Sequence, residues 1–88
     1  MDRLNMFLGE RRKAVLTLTN PSGTVFVIEN ASFSLLRYGV EEAKGSCIAA
    51  EHTVTVYIEP KQKGDYVLEV QLLIADEIVK KRLNITVS

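Results

Sequence analysis

Pro60-Lys61-Gln62-Lys63-Gly64-Asp65-Tyr66-Val67-Leu68-Glu69-Val70 is the stretch that decides how this chain folds. A proline and a polar run make a loop, and Gly64 supplies the freedom to turn out of it. Residues that favour strands then alternate with polar ones. Tyr66 opens that strand two residues before Leu68. In two-sheet β-sandwiches with a tyrosine corner, the tyrosine precedes by two an inward position that often carries a cysteine. Its hydroxyl bonds back to the loop backbone. Leu68 takes the cysteine position here, so the corner is expected without a disulfide. The stretch points to a fold class and to no reaction.

Period-two alternation continues on both sides of it. Downstream, a turn at Asp76-Glu77 pairs Tyr66 with Val87, Leu68 with Ile85, Val70 with Leu83 and Ile74 with Val79. Glu69 then faces Asn84 and Gln71 faces Arg82. Lys81 falls opposite Leu72, a misfit that a lysine at a sandwich end resolves by laying its stem over apolar surface. Upstream, residues 45–50 and 53–59 form a hairpin around Glu51-His52, with Ala49 against Val54 and Cys47 against Val56. Residues 40–44 read as a charged connection, the one place suited to a helical turn. Residues 4–8 make a short edge strand. Residues 13–19 place Ala14, Leu16 and Leu18 on one face and Lys13, Val15, Thr17 and Thr19 on the other. Asn20-Pro21-Ser22-Gly23 is a turn and 24–29 the next strand. After Asn30, Ala31, Phe33 and Leu35 alternate with serines up to Tyr38-Gly39.

One register satisfies every strand, so the expected fold is an all-β, immunoglobulin-like antiparallel β-sandwich of seven to eight strands, a single domain over residues 1–88. Its expected core is Leu16, Leu18, Phe33, Leu35, Val54, Val56, Ile58, Leu68, Val70, Leu83 and Ile85.

Eighty-eight residues suffice for one small domain. A domain of this size buries only roughly 60% of its unfolded surface, so self-association would help it. Lys and Arg number 11 and Asp and Glu number 11. A balanced chain has no electrostatic reason to bind nucleic acid or an anionic membrane, and its two basic runs, Arg11-Arg12-Lys13 and Lys80-Lys81-Arg82, read as solvated positions. The single cysteine, Cys47, reads as a core residue. The N-terminal residues are too interrupted for a signal peptide, and no apolar run is long enough to cross a membrane as a helix.

Enzyme constellations are missing. There is no phosphate loop, no Gly-x-Ser-x-Gly elbow and no metal-ligand spacing. His52, the one histidine, falls at a loop tip, and Glu41-Glu42 diverge as neighbours on an extended chain. No catalytic residue, metal or cofactor is expected. What remains is a surface. Val67, Leu73, Ala75 and Ile78 lie on the outer face of the last hairpin, and Leu36 and Tyr38 join them if residues 31–38 are the neighbouring strand. The expected protein interface is therefore Leu36, Tyr38, Val67, Leu73 and Ile78.

The order of motifs carries a resemblance. Phe7-Leu8-Gly9-Glu10, Leu16-Thr17-Leu18-Thr19, the Asn20–Gly23 turn and Ile28-Glu29-Asn30-Ala31-Ser32-Phe33-Ser34-Leu35 come first. Val54-x-Val56-x-Ile58-x-Pro60, Gly64-Asp65-Tyr66-Val67-Leu68-Glu69 and a closing hairpin to Val87 follow. Nearly the whole chain thus resembles the immunoglobulin-like domains of tailed-phage structural proteins, especially the N-terminal domain of upper baseplate proteins. The resemblance implies a non-enzymatic virion or prophage part that docks itself and other tail or baseplate proteins, in the virion or the host cytoplasm. A bacterial immunoglobulin-like surface or adhesion module from a longer protein is the alternative. A small enzyme or carbohydrate binder is a third, disfavoured by three Tyr, three Phe and no Trp.

Overall fold

Alternating chains without helix-length apolar stripes bury themselves as sheets, and strands hold most of the residues described by the computed structural model, 3–18, 27–50 and 52–88. They are β1 (Arg3–Met6), β2 (Arg12–Thr17), β3 (Ile28–Arg37), β4 (Val40–Ser46), β5 (Ile48–Ala50), β6 (Thr53–Ile58), β7 (Gly64–Ile74) and β8 (Glu77–Val87). A five-stranded sheet runs β1-β8-β7-β3-β4 and a three-stranded sheet runs β2-β6-β5. Their inner faces share one core, so the fold is the expected β-sandwich, with eight strands among the described residues. The expected turn over Asn20–Gly23 and most of the expected 24–29 strand lie outside the described residues.

The core is built by period two. On β7, Tyr66, Leu68, Val70 and Leu72 point inward and are each about 1% exposed. They share one core with Leu35, Ile85 and Val87 on the flanking strands of their own sheet and with Val54, Val56 and Ile58 of the other sheet. Leu16, Leu18, Phe33 and Leu83 pack against this centre from partly buried positions.

Four expectations about local structure are corrected. The β7–β8 turn is Ala75-Asp76, one residue earlier than expected, so Tyr66 pairs with Ile85, Leu68 with Leu83, Val70 with Lys81 and Ile74 with Glu77. Both turn residues have positive φ, 50° and 64°. That signature of a type I′ turn matches the twist of the flanking strands. The partner shift is two residues, an even number, so every side chain keeps its expected face.

Residues 40–44 are not a helical turn. They belong to β4, which a two-residue turn with positive φ at Tyr38 and Gly39 folds back on β3. The β3 ladder also runs straight through Asn30, absorbing an irregularity between Ile28 and Asn30 instead of breaking there. Finally, the sandwich is not wholly antiparallel. β1 lies parallel to β8, pairing Leu4 with Ile85 and Met6 with Val87, and Met6 becomes part of the core. Because the first strand is spent on the five-stranded sheet, β2 pairs with β6 alone among the described residues.

Candidate functional site

The tyrosine corner forms as the sequence implies, with a partner the sequence did not reveal. The Gln62 N–H donates to the Tyr66 hydroxyl at 3.2 Å, and that hydroxyl donates to Glu42 Oε1 at 2.8 Å. The other oxygen of Glu42 accepts the Lys61 N–H at 3.3 Å, and Arg37 Nε donates to the Lys63 carbonyl at 3.2 Å. Glu42 can do this because β4 bulges: Leu35 pairs with Ala43 but Leu36 with Glu41, leaving Glu42 unpaired and turned to the corner. Burial, then the bond donated to Glu42, push the Tyr66 hydroxyl above the ordinary phenol range. This arrangement clamps a loop and leaves no group poised to attack a substrate.

The other candidate reactive groups are equally structural. Cys47 sits where the chain passes from β4 in one sheet to β5 in the other, half-buried, its N–H donating to the Ala31 carbonyl at 3.0 Å. It packs beside the core as expected but just outside the ladder, so the pairing with Val56 is corrected; β5 begins with Ile48 against Thr55. Burial pushes the Cys47 thiol up, which keeps it in the weakly nucleophilic protonated form. His52 lies in the β5–β6 turn, its carbonyl accepting the Leu18 N–H at 2.8 Å. Glu41 accepts the Ser34 hydroxyl at 2.9 Å while Glu42 faces the corner, so the two carboxylates diverge. Among the described residues no three His, Cys, Asp or Glu side chains gather as metal ligands would.

The expected interface is divided by the structure. Leu36 pairs directly with Val67, and Leu73 directly with Ile78. Between these couples Glu69 and Gln71 occupy the same face of β7, so Val67 and Leu73 are about 20 Å apart along the strand. Glu69 accepts from Arg82 Nε at 2.9 Å and lies 3.8 Å from Lys80 Nζ, a charged ladder across the middle. Tyr38, in the β3–β4 turn with φ 50°, lines a shallow cavity with Val67 and carries the Arg37 guanidinium 4.8 Å from its ring centroid.

Exposed apolar side chains also lie on the outer face of the other sheet. Val15 on β2 pairs with Thr55 on β6, which pairs with Ile48 on β5, so the three form one row across the outer face. Val15 is 52% exposed and Ile48 61%. Tyr57, on the same face two residues beyond Thr55, is also exposed and carries the Arg11 guanidinium 4.9 Å from its ring centroid. Alternation alone already sets Val15 opposite to Ala14 and Leu16, and Tyr57 opposite to Val56 and Ile58. Thr55 faces Ile48 in the expected register of the β5–β6 hairpin, and the pairing of β2 with β6 brings Val15 into the same row.

A solved structure to which this chain is similar is that of CopC from Methylosinus trichosporium OB3b. The TM-score is 0.68 at 18% identity, over 99% of this chain and 82% of that one. No family model matches, and no curated protein matches. The likeness is one of fold. It overturns the resemblance to phage baseplate domains and with it the reading as a phage or prophage structural part: the sandwich matched is not a virion protein's. The alternative reading as a surface or adhesion module gains nothing from it. The motifs misled because Leu-Thr-Leu-Thr alternation, an Asn-Pro-Ser-Gly turn and a tyrosine corner are what any such sandwich needs, whatever it does.

Proposed function

We propose that this chain is a non-enzymatic binding module that works by protein–protein contact, beginning with contact between its own copies. The observation that carries the reading is the exposed row Val15–Thr55–Ile48 with Tyr57 beside it. A small sandwich gains from covering such a face, since burying apolar area contributes about 25 cal/mol per Å². The opposite outer face is crossed by the Glu69, Lys80 and Arg82 ladder, which water solvates well. Beside the row Lys13 stands opposite Tyr57, Arg11 covers that ring and Arg12 lies 3.8 Å from Glu10, a short cluster unlike an extended basic track for nucleic acid. Sedimentation equilibrium from low to high micromolar concentration tests the reading. The expected result is a mass that rises with concentration and falls back when Ile48→Glu is introduced. A clean monomer at high micromolar concentration rejects self-contact.

A further inference from the structure

We infer that Tyr38 is the platform of a carbohydrate-binding site on the outer face of the five-stranded sheet. One neutral sugar ring sits in the cavity that Tyr38 borders together with Arg3, Asp65, Val67 and Asn84. The site lies on the sheet opposite the apolar row and is independent of self-contact.

Tyr38 belongs neither to the core nor to the residues packed against it, and its backbone position does not favour it. It is 69% exposed and sits at φ 50° in a two-residue turn whose first position suits Asn or Gly. A bulky residue at positive φ is strained, and such strain clusters at ligand sites. The ring is nonetheless held in place. The Arg37 guanidinium lies over one face, 4.8 Å from the centroid, and Arg37 Nε is anchored on the Lys63 carbonyl at 3.2 Å. The hydroxyl end rests over Gly64, where a Cβ would come 2.9 Å from it. With Arg37 on one face, the exposed area falls on the other face and the edges. An open, rigid aromatic face is what the apolar C–H side of a sugar ring stacks on. The chain has few aromatics, but a single ring so placed is enough for one sugar.

The polar groups beside the ring are ordered and balanced. Arg3, Asn84 and Val67 are neighbours in one row across β1, β8 and β7, and Asp65 lies two residues from Val67 on the same face. Arg3 Nη1 donates to the Thr86 hydroxyl at 3.1 Å, and that hydroxyl donates to Asp65 Oδ1 at 3.3 Å. The relay orients a guanidinium and a carboxylate without joining them directly. It uses one N–H of a group that has several and one oxygen of the carboxylate. Their charges cancel. A bound anion would face Asp65 and a bound cation would face Arg3, whereas a neutral polyol serves both, accepting from the guanidinium and donating to the carboxylate. The cavity is shallow, about 260 Å³, and a second of about 360 Å³ borders Tyr38 on the side of Arg37, Glu41 and Gln62. Two open cavities sharing one aromatic suit adjacent units of an oligosaccharide.

A nuclear magnetic resonance titration of the backbone amides with maltotriose, cellotriose and triacetylchitotriose tests the site. The expected result is a saturable shift at Gly39, Asp65 and Val67 with at least one of the three. Tyr38→Asn removes the ring and puts a residue suited to positive φ in its place, so the fold is expected to unfold at the same temperature or higher. The dissociation constant is expected to rise roughly tenfold or more in that variant. Asp65→Asn, which leaves the charge of Arg3 unbalanced, is expected to weaken binding as well. No saturable shift around Tyr38 with any trisaccharide, or an unchanged affinity in Tyr38→Asn, overturns the site. A response to inorganic phosphate or to free lysine stronger than to every trisaccharide overturns the neutral class of ligand.

Discussion

Glu42 and Tyr66, 24 residues apart in the chain, meet through a 2.8 Å hydrogen bond that ties an edge-strand bulge to the corner of the opposite hairpin. The bulge frees the carboxylate, and the loop between β6 and β7 uses both of its oxygens. A double-mutant cycle measures the link. Tyr66→Phe is expected to cost about 1–2 kcal/mol and Glu42→Ala a similar amount, with a coupling of about 1 kcal/mol between them in urea unfolding. Additive losses would show that the two groups act separately.

The same corner sets a limit on alkaline stability. The Tyr66 hydroxyl is raised above its ordinary value of 10.0 in the folded state, chiefly by burial. Below that value it is protonated in both states and its contribution is whole. As the pH rises past it the unfolded chain ionises first, so stability falls until the folded value is passed. The gap in urea midpoint between wild type and Tyr66→Phe is therefore expected to shrink as the pH rises past the ordinary value of 10.0. A gap that stays constant would remove the hydroxyl as the cause.

Ala75 adopts positive φ without being a residue that favours it, and Asp76 beside it does so less readily than glycine would. Asn followed by Gly is the preferred pair for such a turn. The double substitution Ala75→Asn with Asp76→Gly is expected to stabilise the protein by about 0.5–2 kcal/mol and keep Ile74 opposite Glu77. Thermal unfolding of the double variant checks the gain, and unchanged cross-strand nuclear Overhauser contacts check the register.

Gly64 begins β7 at φ 128°, and a Cβ placed there would come 2.9 Å from the Tyr38 hydroxyl. Gly64→Ala is expected to cost roughly 1–3 kcal/mol. Adding Tyr38→Phe to it should recover the portion due to the contact and leave the portion due to backbone strain. Full recovery would mean the glycine is needed for space alone.

By itself the sequence determined the class of fold, the facing of nearly every strand residue, and the corner tyrosine. Period-two alternation is a local property, and Tyr66, Leu68 and Val70 carry it whatever they pair with. A two-residue error in the β7–β8 register changed the partner of each yet turned none to the wrong side. The tertiary structure alone decided what lies beside what. It bent β4 so that Glu42 reaches Tyr66, placed Glu69 between the apolar couples Leu36–Val67 and Leu73–Ile78, and brought Val15 into the row of Thr55 and Ile48. It also took β1 to β8, leaving β6 as the neighbour of β2 among the described residues. Those relations depend on contacts between strands far apart along the chain, where alternation specifies a face but not a neighbour. For that reason the proposed contact surface had to be read from the folded sheets.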